Sequence, residues 1–411
     1  MRNRFPSIAA AVVLVACGSD PPPEPIEIGF LAPLTGDIAA FGRDLTDASN
    51  LALEEINKAG GVLDGREIRL VVQDTGTSAT GASIGYTTLL NQQVPVILGP
   101  TASAEAVAIR EQVKAGTTLT ISQSATSPEL TSLDFGGYFF RVAPSDVVQA
   151  VVLADEIEKT APPKLCIVHR DDPYGKGLAA AVQARISIPV TTAKFDPALA
   201  NLSSVLDPCD PLIATQGNAI LFITLVADGG QLVDDAAMRG WTPKKHTVFL
   251  TDGTKNRDFV TILANPGFVE GAIGTAPTGP DPDSADGVVL RDFESRFRTR
   301  FGRESDVFAE MAYDAMYLAA VGIELATTAD DRPAIRDAMA HIAGGSVLSV
   351  GNWSAMRTAL RTDRQIDFRG ASGDVKFDLA TGDITGPFFI SVWTISSGAV
   401  VETDIKRIDS L

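Results

Sequence analysis

The 411-residue chain has only three histidines and three cysteines. No histidine shares a metal-ligand spacing with another histidine or with a cysteine, so the sequence offers no zinc-type site. Basic residues are also scarce: 34 lysines and arginines stand against 51 aspartates and glutamates, for a formal charge of −17. An acidic chain repels phosphate backbones, which argues against nucleic acid as a partner. We expect no metal, no other cofactor and no nucleic acid.

Long hydrophobic runs are absent beyond the N-terminus. The apolar stretch Ile8–Ala16 follows two arginines and is too short to span a bilayer. It ends in the string LVAC, which matches a bacterial lipoprotein cleavage site before Cys17. We predict that residues 1–16 are a lipoprotein signal peptide, that Cys17 is lipidated, and that residues 17–25 form a lipid-anchored tether. The alternative is an ordinary secretory signal with a chance cysteine.

Two further cysteines, Cys166 and Cys209, follow Cys17. In an oxidising periplasm they could pair, and the loop-entropy model gives about 3–4 kcal/mol of stabilisation for a loop of that length. The alternative is two buried free thiols. The sequence leaves both possibilities open.

Catalytic motifs are scarce as well. Residues 81–85 match the G-x-S-x-G string of a nucleophile elbow, but they lie inside a predicted helix, about ten residues after the preceding strand. The aspartates of residues 281–286 lack the third ligand position and the terminal glutamate of a calcium loop. We therefore predict that the protein is not an enzyme.

The chain does have a regular alternation of strand-like and helix-like runs. Ile26–Leu31 alternates like a strand, apolar residues recur at helical spacing from Leu45 to Ala59, and Ile68–Val72 is a second apolar run. A helix between two such strands builds a parallel sheet. The loop Pro33–Gly42 then lies at the carboxyl end of a parallel strand, where such folds bind ligands. The pattern continues along the chain and predicts an α/β fold.

Six segments also resemble one protein family. In chain order they are IGFLAPLTGDIAAFGRDLTDASNLALEEINKAGGVLDGREIRLVVQDTG, VPVILGPTASAEA, ISQSATSPELT, YFFRVAPSD, VHRDDPYGKGLA and IDFRGASGDVKFD. Together they resemble type I periplasmic (extracellular) solute-binding proteins of ABC importers, in the class that binds the branched-chain amino acids Leu, Ile and Val. The resemblance runs from about Ile26 to the C-terminus, and its specificity comes from the order and spacing of the segments.

The resemblance implies two Rossmann-like lobes with parallel central sheets, joined by a three-strand hinge (periplasmic binding protein-like I). We assign residues 26–142 plus 276–386 to lobe 1, and residues 143–275 plus 387–411 to lobe 2. The residue pattern alone shows two alternating sets of elements. The three crossings between the lobes come from the resemblance.

The resemblance also predicts a ligand site between the lobes. Each lobe contributes loops that follow strands, and the amino and carboxylate groups of the ligand lie between these loops. The predicted ligand-binding residues are Phe41, Thr101, Ser103, Ser124, Ala125, Thr126, Tyr174 and Asp252.

The residues predicted from lobe 1 follow two neighbouring strands. Thr101–Ser103 lies before a helix, where backbone N–H groups and a hydroxyl can hold a carboxylate. Ser124–Thr126 follows the next strand, and in the resembled proteins this segment supplies a backbone carbonyl and a threonine. The alternative for Ser103 is a simple helix cap.

In lobe 2, Asp252 is predicted by resemblance to receive the ligand ammonium, because a buried cation needs a charged partner. Tyr174 matches a tyrosine that lines the cleft, and Phe41 matches an aromatic residue that contacts the ligand side chain. The alternatives are a turn aspartate, an aromatic residue at a helix start and an aromatic residue that packs on its own helix. Leu225–Asp228 lacks the tyrosine that branched-chain binders carry, which leaves the side-chain specificity open.

We therefore expect a monomeric substrate-binding lipoprotein of an ABC transporter, located in the periplasm or cell envelope and anchored to the membrane. It binds an amino acid (branched-chain-like) or a related amine-carboxylate and delivers it to permease subunits by hinge closure. The alternative is a sensor or scaffold lipoprotein of the same fold with no role in transport.

Overall fold

The computed structural model describes residues 23–410. The predicted signal peptide, Cys17 and most of the tether lie outside the described residues. Within residues 23–410, none of the helices combines the length and hydrophobicity that a bilayer span requires.

The first sheet has five parallel strands in the spatial order β2-β1-β3-β4-β5. They are β1 (Ile26–Ala32), β2 (Ile68–Asp74), β3 (Val96–Leu98), β4 (Leu119–Ser122) and β5 (Phe139–Arg141). The helices that follow these first four strands are α1 (Ala39–Lys58), α2 (Ala79–Asn91), α3 (Ser103–Ala108), α4 (Arg110–Gly116) and α5 (Glu129–Ser132). The predicted strand–helix–strand unit at the start of the chain is confirmed.

A second run of parallel strands follows. It comprises β6 (Leu165–Arg170), β7 (Val190–Phe195), β8 (Ala219–Ile223), β9 (Thr247–Leu250) and β10 (Ile273–Thr278). The helices in this part are α6 (Asp146–Thr160), α7 (Pro173–Gln183), α8 (Asp210–Ile213) and α9 (Val226–Arg239).

The chain then returns to the first sheet. This part contains α10 (Val288–Phe301), α11 (Ala309–Ala326), α12 (Arg332–Asp337), β11 (Ser346–Ser349), α13 (Trp353–Thr362), β12 (Ile366–Gly370) and β13 (Gly373–Asp374). Helix α11 packs against α1 and the first sheet, and every residue from Ala309 to Leu325 is buried. A helix that is apolar on most of its circumference is typical of such a central position.

The last two strands, β14 (Phe388–Ser396) and β15 (Ala399–Ile408), join the second sheet, whose order is β15-β14-β10-β9-β8-β6-β7. Both are antiparallel to their neighbours, so the expectation of two parallel central sheets holds for the first sheet, and the second is mixed. Strand β15 reverses against β14 through a two-residue turn at Ser397 and Gly398, both with positive φ, which is the geometry of a hairpin.

The position of strand β10 can be compared with the predicted boundary between the lobes. Strand β10 stays paired with β14 as far as Thr278, so the second sheet extends past the boundary placed at residue 275. We keep the names lobe 1 and lobe 2 for the parts built on the first and second sheets. The exact division of the chain into lobes stays a proposal.

Cys166 and Cys209 lie side by side in the core of lobe 2. Their Cα atoms are 5.8 Å apart, the two sulfur atoms are bonded, and both side chains are fully buried. A separation in this range is usual for disulfides. We propose that the pair is oxidised in the native protein.

Replacing both Cys166 and Cys209 with alanine should lower the free energy of unfolding by about 3–4 kcal/mol, because the bond closes a loop of this length in the unfolded chain. Urea denaturation of wild type and variant measures the difference, and the same comparison in strong reductant is the control, where the gap should shrink. An equal count of free thiols before and after reduction of unfolded protein would contradict the disulfide.

Candidate ligand-binding site

The carboxyl ends of the two sheets face one cavity of about 60 Å³. Among the residues that line it are Phe41, Thr101, Ser103, Ser124, Thr126, Tyr174 and Asp252. These are all the predicted ligand-binding residues except Ala125, which is fully buried in the core of lobe 1. The carbonyl oxygen of Ala125 accepts a hydrogen bond of 3.2 Å from Nη1 of Arg141, so this residue holds the wall in place from behind.

Hydrogen bonds between two loops form the lobe 1 wall. Nε2 of Gln123 donates to Oγ1 of Thr101 at 2.9 Å, and the Ser124 hydroxyl donates to the carbonyl oxygen of Thr101 at 2.9 Å. Ser103 does not cap its own helix, because Ala102 occupies the N-cap position. Its hydroxyl oxygen instead accepts from the backbone N–H of Ser127 at 3.1 Å. The simple-cap alternative for Ser103 is therefore wrong.

Asp252 lies just beyond β9 and forms the centre of the lobe 2 wall. Its side chain is buried, with a residue exposure of 4%. Its Oδ1 accepts 2.9 Å hydrogen bonds from Nε2 of Gln149 and from the hydroxyl of Tyr174. The Tyr174 hydroxyl also lies 2.9 Å from Oγ1 of Thr251. Asp252 is thus fixed in place by neutral groups and has no cationic partner among the described residues.

Asp146, the first residue of α6, adds a second carboxyl beside this wall and was not predicted from the sequence. It is fully buried and has no ion-pair partner among the described residues, and the neighbouring hydroxyl of Thr126 favours its ionised form. Its backbone N–H donates to the carbonyl oxygen of Thr126 at 2.8 Å, so it lies where the lobe 1 wall meets α6. The sequence signal was an aspartate four residues after a predicted crossing strand.

The two buried carboxyls affect each other. Burial, with the nearby Asp252 as second cause, raises the pKa of Asp146 well above its usual value. Burial raises the pKa of Asp252 to about 6. Two carboxyls in one dry site cannot both ionise cheaply unless a cation joins them. The pair therefore suits a ligand that brings a positive charge.

Arg170, at the end of β6, lines the same cavity and was also not predicted. Its Nε donates to Asp172 at 2.7 Å, and its Nη1 contacts both Asp228 and Asp37. The contact with Asp37 is 3.2 Å long and crosses from lobe 2 to lobe 1. Arg170 is already surrounded by carboxylates, so it links the lobes at the edge of the cavity.

A second ionic contact joins the lobes next to the cavity. Arg257, between β9 and β10, pairs with Asp44 of α1 and with Asp306, whose Oδ2 lies 3.0 Å from its Nε. Its Nη2 also donates to the carbonyl oxygen of Glu304 at 2.8 Å. With Arg170 and Asp37, this contact holds the two lobes against each other.

Comparison with known proteins identifies the family. A model of the family "Periplasmic binding protein" matches residues 25–399. The chain belongs to this family. The resemblance of the six segments is confirmed, and because the family consists of non-enzymatic solute-binding proteins, this periplasmic binding protein is not an enzyme.

Two relatives are similar over most of their length. A Leu/Ile/Val-binding protein homolog from Brucella melitensis is 27% identical over 319 residues, covering 76% of this chain and 83% of the relative. The chemotactic signal transduction system substrate-binding protein BasB from Halobacterium salinarum is 25% identical over 380 residues, covering 88% of this chain and 86% of BasB.

Solved structures share the fold at low identity. The branched-chain amino acid transporter substrate binding protein LivJ from Streptococcus pneumoniae, in complex with isoleucine, superposes with a TM-score of 0.75 at 22% identity, covering 94% of this chain and 99% of LivJ. A solute binding protein of an ABC transporter from Rhodopseudomonas palustris, in complex with 3,4-dihydroxybenzoic acid, superposes with a TM-score of 0.73 at 16% identity. The match covers 94% of this chain and 98% of that protein. These likenesses confirm the fold class.

Proposed function

We propose that this periplasmic binding protein clamps an amino acid, or a related amine-carboxylate, between its lobes and delivers it to the permease of an ABC importer. The observation that carries the proposal is Asp252, a buried carboxyl in the cavity wall that has no cationic partner among the described residues and lies close to the buried carboxyl of Asp146. The proposal includes the lipid anchor on Cys17, a location in the periplasm or cell envelope, and action as a monomer.

An ammonium group is the ligand feature that this pair calls for. A primary ammonium has three N–H donors, and the carboxylate of Asp252, which lines the cavity, can accept from it. Its positive charge offsets the desolvation cost of the buried negative charge. The hydrogen bonds between them are charge-assisted and therefore strong. An acid without an amine would bring a negative charge next to these carboxyls and no cation to compensate it, which is unfavourable.

The carboxylate of the ligand fits the lobe 1 wall. Thr126 is buried, and it lines the cavity. Ser103 and Thr101 each accept one hydrogen bond here, and their hydroxyl protons remain available to donate. In this arrangement lobe 1 holds the negative end of the zwitterion and lobe 2 holds the positive end.

The remaining lining residues favour an aliphatic side chain. Ile38, Phe41, Leu225 and Phe308 all border the cavity. Leu225 lies in the segment that carries a tyrosine in the branched-chain binders. Here the segment has no tyrosine hydroxyl, so this part of the lining is apolar. The names of the Brucella relative and of the isoleucine complex point to the same ligand class.

Hinge closure follows from a ligand that touches both lobes. Such a ligand favours the closed form by its extra affinity for that form, and a permease can then distinguish closed from open protein. The contacts Arg170–Asp37 and Arg257–Asp44 form only when the lobes meet, so they add to the stability of the closed form.

Replacing Arg257 with glutamine should shift the protein toward the open form. It removes ion pairs to Asp44 and Asp306 that are at most one-third exposed, and the apparent affinity for ligand should fall by about three- to thirtyfold. Small-angle scattering should show a larger radius of gyration without ligand, and calorimetry gives the affinity.

Arg298→Gln is the matched control for Arg257→Gln. Arg298 also pairs with a glutamate, Glu304, but the pair is exposed and lies within one lobe. An unchanged radius and affinity in Arg257→Gln would show that this contact does not stabilise closure.

A sensor role is the second candidate, and the name of the Halobacterium relative favours it. The two roles predict different phenotypes after deletion of the gene. Loss of uptake of the radiolabelled ligand supports transport. Intact uptake with loss of the response to that ligand supports sensing.

A thermal-shift panel tests the proposed ligand class. Ligand at 100 times its dissociation constant adds about 2.7 kcal/mol to the free energy of unfolding, which is an easily measured shift. Aliphatic amino acids should raise the melting temperature, and aromatic acids without an amine, such as 3,4-dihydroxybenzoic acid, should not. A response confined to the amine-free acids would overturn the proposal.

A further inference from the structure

A second cavity, of about 550 Å³, lies between the lobes and shares no lining residue with the ligand-binding site. One side comes from the segment after β9 and from the hairpin of β14 and β15, including Lys255 and Val400. The other side comes from α10 and the start of α11, including Leu290, Glu294 and Glu310. Its walls are both apolar and acidic.

Glu310 is the most informative residue in this second cavity. It lines the cavity, its residue exposure is 5%, and no other side chain among the described residues is hydrogen-bonded to it. Glu294, which is half-buried and lies on α10 on the same side of the cavity, also lacks an ion-pair partner in the described part of the chain. Neither carboxyl has a role in the proposed binding mechanism.

The other acidic residues of the second cavity are already neutralised. Glu402 pairs with Lys255, Asp306 pairs with Arg257, and Glu304 pairs with Arg298. The ammonium of Lys255 also donates to Oγ of Ser391 at 2.9 Å. These pairs leave Glu294 and Glu310 as the two carboxyls that a cation entering the cavity would meet.

The environment of the two carboxyls is costly for negative charge. Burial raises the pKa of Glu310 to about 8, opposed by Lys255 and reinforced by Asp314 and Glu294. Burial, with Glu402 and Glu304, raises the pKa of Glu294 to about 6, opposed by Arg298 and Lys255. A cation between them would remove this penalty.

We propose that the second cavity binds an aliphatic amine, with its ammonium between Glu294 and Glu310 and its alkyl chain along Leu290, Val307 and Val400. The apolar residues suit an alkyl chain, and the carboxyls suit the ammonium. An organic cation fits better than a metal ion, because within residues 23–410 no three His, Cys, Asp or Glu side chains are placed to share one.

The test is calorimetric titration of the full chain with n-butylamine, with 1-butanol as the neutral isostere. Butylamine should bind and butanol should not. Glu310→Gln should weaken butylamine binding at least about tenfold, because a charge-assisted contact is lost. Glu111→Gln, which changes an exposed glutamate of α4, should leave the affinity unchanged.

Folding and proton release provide further checks. Glu310→Gln replaces a carboxyl that is largely neutral near neutral pH with a neutral group of the same shape, so its thermal unfolding should match or exceed that of wild type. The amine requires the ionised carboxyls, so binding should release protons, and affinity should rise as the pH increases from about 6 to about 8. Titration in buffers of different ionisation enthalpy counts the protons.

Two outcomes would overturn the proposal. One is equal binding, or no binding, of butylamine and butanol. The other is butylamine binding that is lost in Asp252→Asn and unchanged in Glu310→Gln, because this would place the amine in the ligand-binding site of the proposed function.

Discussion

Replacing Asp252 with asparagine should lower amino-acid affinity by at least about 100-fold. The change keeps the shape of the side chain but leaves the ligand ammonium without the carboxylate that faces it, and an unpaired buried charge costs about 3–5 kcal/mol. Gln149 and Tyr174 can still hydrogen-bond the amide oxygen at this position, so the fold should survive. Calorimetric titration with the best ligand from the thermal-shift panel measures the loss.

Asp258→Asn is the matched control for Asp252→Asn. Asp258 lies on the same segment after β9, but it is exposed and its side chain makes no hydrogen bond among the described residues. Its replacement should leave affinity within about twofold, since surface substitutions of this kind are usually within about 0.5 kcal/mol. Normal binding by Asp252→Asn would remove the residue from the ligand site.

The pH dependence of wild-type binding follows from the same carboxyl. The ligand ammonium needs the ionised form of Asp252, whose pKa is raised to about 6 in the folded protein. Affinity should therefore be highest above pH 6 and fall as the pH drops below it. Asp252→Asn should remove the pH dependence of affinity that comes from titration of the Asp252 carboxyl.

Replacing Arg141 with methionine should lower the free energy of unfolding by about 3 kcal/mol or more. The side chain is fully buried, and its Nε and Nη2 contact the two carboxylate oxygens of Asp383 at 2.6 and 3.0 Å. Its Nη1 donates to the carbonyl oxygens of Ala125 and Ser127. Methionine fills similar space but leaves these acceptors unpaired, which is costly in a buried site. Urea denaturation measures the effect.

The Arg141 replacement should also weaken ligand binding, because Thr126 lies between the two carbonyl groups that Arg141 holds. Arg141→Lys keeps the charge but loses the two-pronged contact with Asp383, so its effect should be intermediate. Arg110→Met removes an exposed ion pair with Glu111 and should cost less than about 1 kcal/mol. If Arg141→Met were as stable as Arg110→Met, this contact would not support the wall.

Most of the ligand-binding site could be predicted from the sequence by combining a simple physical rule with the resemblance to a known family. Strands of a parallel sheet end at one edge, so polar residues that follow different strands meet there. The rule pointed to the loops that follow the strands, and the resemblance supplied the individual residues in them. The structure brings Ser103, Thr126, Tyr174 and Asp252 to one cavity. The apolar periodicity of α1 predicted its buried face equally well.

Other features depend on the path of loops and on contacts between lobes, which periodicity does not encode. Ala125 follows the predicted strand, but the backbone turns its side chain into the core of lobe 1. Asp146 and Arg170 gain their importance from residues more than 80 positions away in the sequence, namely Asp252 and Asp37. The antiparallel edge strand β15 was missed because strand pairing is a property of the tertiary fold.

The most direct measurement is a crystal structure of the protein with the amino acid that stabilises it most in the thermal-shift panel. We expect the ligand ammonium within hydrogen-bonding distance of Asp252, and its carboxylate on the hydroxyls of Ser103 and Thr126, with the lobes closed around it. A ligand bound in the reverse orientation, or at a distance from Asp252, would contradict this binding mode.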